Sequence, residues 1–250
     1  MLTNERIKFL IMKIGIISDI HANLHALQAV ISDMEKEQIE EVWCLGDIIN
    51  YGAFPNECCT WVMNNCSISI LGNHELMLLG YAEVDSSIVN QCLNWTKKVI
   101  SPENIEYIKT LPLLYRQNKE ISLVHDNPLA PGSMIYITDN ITATKSLLKQ
   151  ETNICFFGHT HIPVGYKLST IGAETIKISY FSVKEGKFLI NPGSVGQPRD
   201  NNPKASYGIY DSEEKNIKIK RIEYDVKAAA KSILEAGLPP VMAARLIKGI

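Results

Sequence analysis

Three short apolar runs near the start of the chain limit its fold more than any other feature. Ile14-Gly15-Ile16-Ile17, Val42-Trp43-Cys44-Leu45 and Ser67 to Leu71 carry β-branched or aromatic side chains and read as buried strands. Between the first two, Leu24, Leu27, Ile31 and Met34 recur at i, i+3, i+7 and i+10, one apolar stripe at helical period. Between the second and third, Pro55 opens a second helix that runs through Val62. Strands alternating with helices at this spacing are joined by right-handed crossovers and form a largely parallel sheet. Ligands of such a sheet collect at the carboxyl ends of its strands. Each of the three runs ends in ligand-type residues: Asp19 and His21, then Gly46-Asp47, then Asn73 and His74.

Further along, Val84 to Leu111 is expected to be helical. Ser101-Pro102-Glu103 is a helix start, with a capping hydroxyl, a proline at the first helical position and an acid in the first turn. Leu113 to Gln117 and Glu120 to His125 form a hairpin around Asn118-Lys119, and the second arm ends in His125-Asp126-Asn127-Pro128. A helix is expected over Thr142 to Gln150, then a strand over Asn153 to Phe157 that ends in Gly158-His159-Thr160-His161. From Val164 the pattern turns to strands. Thr175 to Val183 is expected to pair with Lys187 to Ile190 across Lys184-Glu185-Gly186, and Ala205 to Tyr210 with Ile217 to Tyr224. Helices over Val226 to Ala236 and ending near Lys248 close the chain. With no linker-like stretch and no repeat, residues 12–250 are expected to form a single domain. Residues 1–11 are expected to be an extension outside it, an upstream start or a disordered tail.

Eight side chains thus stand at predicted strand ends: Asp19, His21, Asp47, Asn73, His74, His125, His159 and His161. Five of the six histidines are among them, His25 being the exception. Taken alone, each fragment is an ordinary turn or helix cap; taken together, they are a ligand set. Imidazole nitrogens with carboxylate and amide oxygens suit Mn, Fe, Co, Ni or Zn, whereas Ca and Mg prefer oxygen alone. Alternate residues of an extended chain point to one side. Asp19 and His21, and likewise His159 and His161, are therefore expected to face one pocket from extended backbone. The set exceeds what one tetrahedral zinc takes, so two metal ions are the economical assignment.

In these blocks the chain resembles the calcineurin-like metallophosphoesterase superfamily. Asp19-Ile20-His21, Gly46-Asp47, Gly72-Asn73-His74-Glu75, Val124-His125 and Gly158-His159-Thr160-His161 match its signature in order, and the resemblance runs from Met12 to the C-terminus. Gly46-Asp47-Ile48, Tyr51-Gly52 and Pro55-Asn56-Glu57, with Asn191 to Arg199, are similar to its small single-domain bacterial and archaeal phosphodiesterase branch. The resemblance implies an α/β fold, a four-layer α-β-β-α sandwich with two mixed β-sheets. It implies one metal on Asp19, His21, Asp47 and His161, and another on Asp47, Asn73, His125 and His159, with Asp47 shared. The cofactors it implies are two divalent transition-metal ions, Mn foremost, with Fe, Ni, Co or Zn as alternatives. Such a pair carries a bridging hydroxide as nucleophile, and His74 would protonate the leaving oxygen rather than bind metal. Asn73, His74 and Arg199 are expected to contact substrate, Arg199 through the bidentate geometry a guanidinium offers phosphate. Gly193 to Gly196 is expected to be a tight turn behind the site rather than a phosphate cradle. Asp126 is expected to cap the turn before Asn127-Pro128. Glu75, where the family also has Asp, carries no assignment.

The expected activity is phosphoester hydrolysis, mainly of small phosphodiesters. A phosphomonoesterase, a protein phosphatase or a dinucleoside-polyphosphate hydrolase would use the same ligands. A non-catalytic protein-interaction scaffold would keep the fold and lose the site. A formal net charge of -2 gives no reason to expect a nucleic acid partner. No apolar run approaches the ~18 residues that span a bilayer. Cys44, Cys58, Cys59, Cys66, Cys92 and Cys155 form no Cys-x-x-Cys pair, so reduced thiols and a cytoplasmic setting are expected.

Overall fold

The computed structural model describes residues 12–84, 86–176 and 178–250; the expectation for residues 1–11 lies outside them. β1 (Lys13–Ile17), α1 (Leu24–Glu37), β2 (Glu41–Cys44), α2 (Pro55–Asn65) and β3 (Ile68–Ser69) follow the alternation expected from sequence. The three strands are parallel, in the order β3-β2-β1. The apolar stripe of α1 buries Leu27 and Met34 together with Ala26 and Val30. Asn23 starts this helix by accepting a hydrogen bond from the Ala26 N–H at 3.1 Å. β3 is shorter than the expected run. Ile70 N still donates to Cys44 O, but Leu71 N turns to Pro112 O at 2.9 Å, and the ladder stops there.

α3 (Asn73–Leu79), α4 (Ser87–Val99) and α5 (Pro102–Thr110) come next, then the hairpin of β4 (Leu114–Gln117) and β5 (Ile121–Val124). α6 (Asn140–Lys149) leads to β6 (Ile154–Phe156). The remaining elements are β7 (Val164–Ser169), β8 (Gly172–Ile176), β9 (Tyr180–Ser182), β10 (Phe188–Asn191), β11 (Ala205–Asp211), β12 (Asn216–Ile222), α7 (Val226–Glu235) and α8 (Pro240–Lys248). One sheet runs β3-β2-β1-β11-β12-β9 and the other β4-β5-β6-β10-β7-β8. Both are mixed.

The layers follow from which face of each strand is apolar. Ile14, Ile16 and Trp43 of the first sheet meet Leu123, Phe156 and Phe188 of the second in the space between them. Fully burying a side chain of this kind contributes about 1.5–3 kcal/mol relative to leaving it exposed, so this layer clamps the two sheets together. Ile17 and Cys44 point the other way, onto Leu27, Val30 and Val62 of α1 and α2. The far face of the second sheet packs Cys155, Tyr166 and Leu189 on Ala143 and Leu147 of α6. The result is the four-layer α-β-β-α sandwich.

The expected pairing of Thr175–Val183 with Lys187–Ile190 does not form. β8 pairs with β7, β9 pairs with β12 in the first sheet, and β10 lies between β6 and β7 in the second. All four residues of β10 are buried. A strand apolar on both faces gains most at a central position, and that outweighs a local turn. Lys184-Glu185-Gly186 therefore carries the chain from one sheet to the other. β5, β6 and β10 are parallel in the second sheet as β1, β2 and β3 are in the first. The carboxyl ends of the two sets meet at one edge of the sandwich, where the candidate ligands stand.

Candidate metal centre

Asp19 and His21 follow β1, Asp47 follows β2, and Asn73 and His74 open α3. His125 follows β5, and His159 and His161 follow β6. None of the eight is more than 7% exposed. Donor atoms of Asp19, His21, Asp47 and His161 all lie within 4.8 Å of one another, and so do those of Asp47, His125 and His159. Asp47 belongs to both groups. Asn73 adjoins the second, its Oδ1 3.1 Å from His125 Nε2. His161 Nε2 is 3.1 Å from Asp19 Oδ1, and His125 Nε2 is 3.2 Å from Asp47 Oδ2.

Each histidine of the two groups is tied through its other nitrogen to a backbone carbonyl. His21 Nδ1 meets Ile49 O at 3.2 Å, His125 Nδ1 meets Leu45 O at 2.7 Å, and His161 Nδ1 meets Gln197 O at 2.6 Å. His159 is turned over, with Nε2 on Met134 O at 3.1 Å. A carbonyl only accepts, so each of these nitrogens carries the hydrogen. In a neutral ring the remaining nitrogen then presents a lone pair to the centre. Such outer partners fix tautomer and orientation in metal sites.

Burial, reinforced by His161, drives His21 well below the usual imidazole range, and burial with the Arg199 charge lowers His161. Both rings are therefore neutral at pH 7. Their Nε2 atoms are nevertheless 3.1 Å apart. Two lone pairs at that distance, with no proton to share, repel one another, and a cation between or beside them would relieve that. Burial raises the carboxyls of Asp19 and Asp47, but neighbouring histidines outweigh it, chiefly His161 for Asp19 and His125 for Asp47. Both are held well below the carboxylate range and are anionic.

His125 behaves differently. Burial opposes its charge, but Asp47, by charge and hydrogen bond, and Asp19 win, and its pKa is raised to about 10. Without metal, a proton on Nε2 does a cation's work there, and metal must displace it. That proton competes at all pH values below about 10. Apparent Mn²⁺ affinity is therefore expected to rise by up to about tenfold per pH unit from pH 7 to 9, with proton release seen by calorimetry in buffers of different ionisation enthalpy. An affinity flat with pH and no proton release would remove His125 from the ligand set.

The backbone at the ligands is not extended, contrary to expectation. Asp19, His21, Asp47, His159 and His161 all have φ between 49° and 67°. Left-handed backbone at such residues costs about 1 kcal/mol each and persists where surroundings enforce it. Here His21 N donates to Asp47 O at 2.9 Å and Asp19 N to Gly46 O at 3.1 Å. The paired residues do face one centre, but from tight loops. Gly46, at φ 89°, and Gly72 pack face to face, and a Cβ on Gly72 would lie 2.1 Å from Asp47 Oδ1. The carboxylate occupies the room that glycine leaves.

Known proteins are similar to this chain in sequence and fold. A family model for the calcineurin-like phosphoesterase superfamily domain matches residues 12–215. The chain belongs to this superfamily. An uncharacterized protein of Methanocaldococcus jannaschii is 38% identical over 242 residues, 94% of this chain and 98% of its own length. The crystal structure of a metallophosphoesterase from Sphaerobacter thermophilus superposes with a TM-score of 0.86 at 34% identity, covering 96% of this chain and all of that one. Phosphodiesterase YfcE of Escherichia coli is 23% identical over 215 residues, 81% of this chain and 89% of its own. The chain is a metallophosphoesterase, a hydrolase of phosphoric ester bonds, in a metal-dependent family.

The phosphoesterase centre opens into a cavity of about 300 Å³. Asp47, Asn73, His74, His159, His161 and Arg199 line it, together with the apolar Met77, Val84, Val89, Met134 and Tyr136, among which Glu83 and Ser86 also stand. Tyr136 stacks on His159 with ring centroids 4.0 Å apart and is half exposed. Arg199 donates through Nη2 to Gln197 Oε1, and its buried Nε has no protein partner among the described residues. The amides of Gly193 to Gly196 do not face the cavity as a cradle would. Val195 N and Gly196 N donate to Ser18 O and Asp19 O, and Ser194 Oγ to Asp19 O, bracing the β1 loop from behind. Asp126 accepts from the N–H groups of Asn127, Gly132 and Met134. It thereby holds the loop that brings Met134 O to His159.

Sequence reasoning passed over Glu75. It is fully buried and accepts from the N–H groups of Asp47, Ile48, Ile49 and Gly72 at 2.8–3.2 Å. Burial, with the Asp47 charge beside it, pushes its carboxyl up to about 7 against the pull of those donors. Glu75 shapes the loop that carries Asp47. An acid at the third position of a helix is a capping-box signal, and that signal was present in the sequence. Asn50, which contacts His74, was also passed over.

Proposed function

We propose that this phosphoesterase is a binuclear, metal-dependent phosphodiesterase. Its strongest support is the pair of unprotonated Nε2 atoms of His21 and His161, 3.1 Å apart beside a carboxylate common to two donor groups. One ion would be held by Asp19, His21, Asp47 and His161, the other by Asp47, Asn73, His125 and His159. The mixed nitrogen and oxygen set suits Mn²⁺ foremost, with Fe, Ni, Co or Zn also compatible. When bound, such a pair supplies charge for the phosphate oxygens and a water acidic enough to act as nucleophile near neutral pH.

The chain's own side chains supply the remaining functions. His74 lines the cavity with Nε2 3.9 Å from Asp47 Oδ2, placed to give a proton to the leaving oxygen of a bound ester. Arg199 offers a fixed charge for a non-bridging oxygen. A diester is supported by the apolar side chains in the cavity lining, Met77, Val84, Val89, Met134 and Tyr136, which give a second substituent somewhere to pack, and by the relative named a phosphodiesterase. The substrate is a small phosphate ester, and the net charge of -2 provides no general footprint for nucleic acid. The six free cysteines are buried or half-buried, which supports a cytoplasmic setting. Residues 12–250 act as one domain on this view, because β12 lies beyond the family-matched stretch and still pairs within the first sheet.

The test is a metal and substrate screen. Purified protein loaded with Mn²⁺ is expected to contain about two ions per chain and to hydrolyse bis-p-nitrophenyl phosphate faster than p-nitrophenyl phosphate. A protein inert toward diesters and monoesters with every transition metal tried would overturn the proposal.

A further inference from the structure

Four rings of the centre meet carbonyl oxygens; the fifth meets an amide. Asn50 Nδ2 lies 2.7 Å from His74 Nδ1. Asn50 is fully buried and held at φ 72°. Its carboxamide is oriented by its own neighbour, since Oδ1 accepts from Tyr51 N at 3.0 Å. Nδ2 is thereby turned to His74, and an amide NH₂ only donates. His74 Nδ1 is the acceptor, and the single hydrogen of the neutral ring sits on Nε2. That nitrogen is the one facing Asp47 and the cavity. The Tyr51 ring, edge-on to His74 with centroids 4.6 Å apart, holds the imidazole plane.

We propose that Asn50 is a positioning residue that locks His74 in its Nε2–H tautomer, so that His74 shows the cavity a proton where the neutral rings of His21, His159 and His161 show lone pairs. The same contact keeps His74 from acting as a metal ligand. An aspartate at this position would accept from Nδ1 and reverse the hydrogen bond. The catalytic consequence rests on the role proposed above for His74; the tautomer itself does not.

The test is nitrogen NMR of the 250-residue chain with labelled histidine, metal-free and loaded with Zn²⁺. His74 is expected to carry hydrogen on Nε2 and none on Nδ1 in both states, and Asn50→Asp to place one on Nδ1. A hydrogen on Nδ1 in the wild type overturns the proposal whatever the turnover. In the activity arm, Asn50→Ala is expected to lower kcat about 10- to 100-fold, more for a phenyl than for a p-nitrophenyl diester, with KM little changed. In a His74→Ala background the same change is expected to have no further effect. An equal loss in both backgrounds would make Asn50 a support of the fold alone and overturn the proposal. If His74→Ala keeps full turnover, the donor role proposed for His74 fails, and the NMR result still decides the tautomer.

Discussion

Asp47→Ala is expected to empty both metal positions at once. Elemental analysis after dialysis should fall from about two ions per chain toward none, and turnover by about 10³-fold or more. Asp47 is the one side chain common to the two donor groups. Two dications sharing this site would repel one another by on the order of 10 kcal/mol even in a protein of moderate effective dielectric, and the Asp47 carboxylate would offset that. His125→Ala removes a donor from one group only, so it is expected to weaken one ion and leave the other. The alanine variant also frees the His74 N–H, which donates to Asp47 Oδ1 at 2.9 Å. Asp47→Asn keeps that acceptor and drops the charge, so loss of both ions in Asp47→Asn assigns the effect to charge rather than to a loosened α3. Wild-type metal content in both variants would remove Asp47 from the centre.

The parts of this centre that were legible in sequence are those written in local periodicity or residue type. β-branched runs ending in Asp, Asn or His mark the strand ends, and helical spacing between them fixes the crossovers and hence the edge where the ligands meet. Asp126 was legible as a turn cap. What was not legible depends on non-local contact. Glu75 has its meaning from the Asp47 loop, which folds back onto it from 28 residues away. Asn50 has its meaning from a ring 24 residues on. β10 is central because β6 and β7 flank it, and no turn signal reports that. The left-handed backbone at Asp19, His21, His159 and His161 was hidden for another reason. Glycine announces positive φ by its type, whereas Asp and His adopt it only when hydrogen bonds elsewhere enforce it. The i, i+2 spacing led to the right partners through the wrong backbone.

His74→Ala is the second large effect, and it should differ in kind from the first. Turnover of the diester is expected to fall about 10²- to 10⁴-fold, while both ions stay bound. The separation follows from the hydrogen bonds. The rings of His21, His125, His159 and His161 each give their outer hydrogen to a carbonyl and turn the other nitrogen inward, as a lone pair in the three neutral rings and, once its proton is displaced, in His125 as well. His74 receives a hydrogen from Asn50 and turns its own inward. Burial, with the charges of His161 and Arg199, pushes His74 down to about 4 against the opposing pull of Asp47. In the free protein at neutral pH it is therefore a neutral N–H donor rather than an imidazolium. A donor of that strength assists most where the departing oxygen is most basic, so the loss should be steeper for a phenyl than for a p-nitrophenyl leaving group. A metal count that fell in step with turnover would instead place His74 among the ligands, and its partner Asn50 would then have to be turned with oxygen toward the ring.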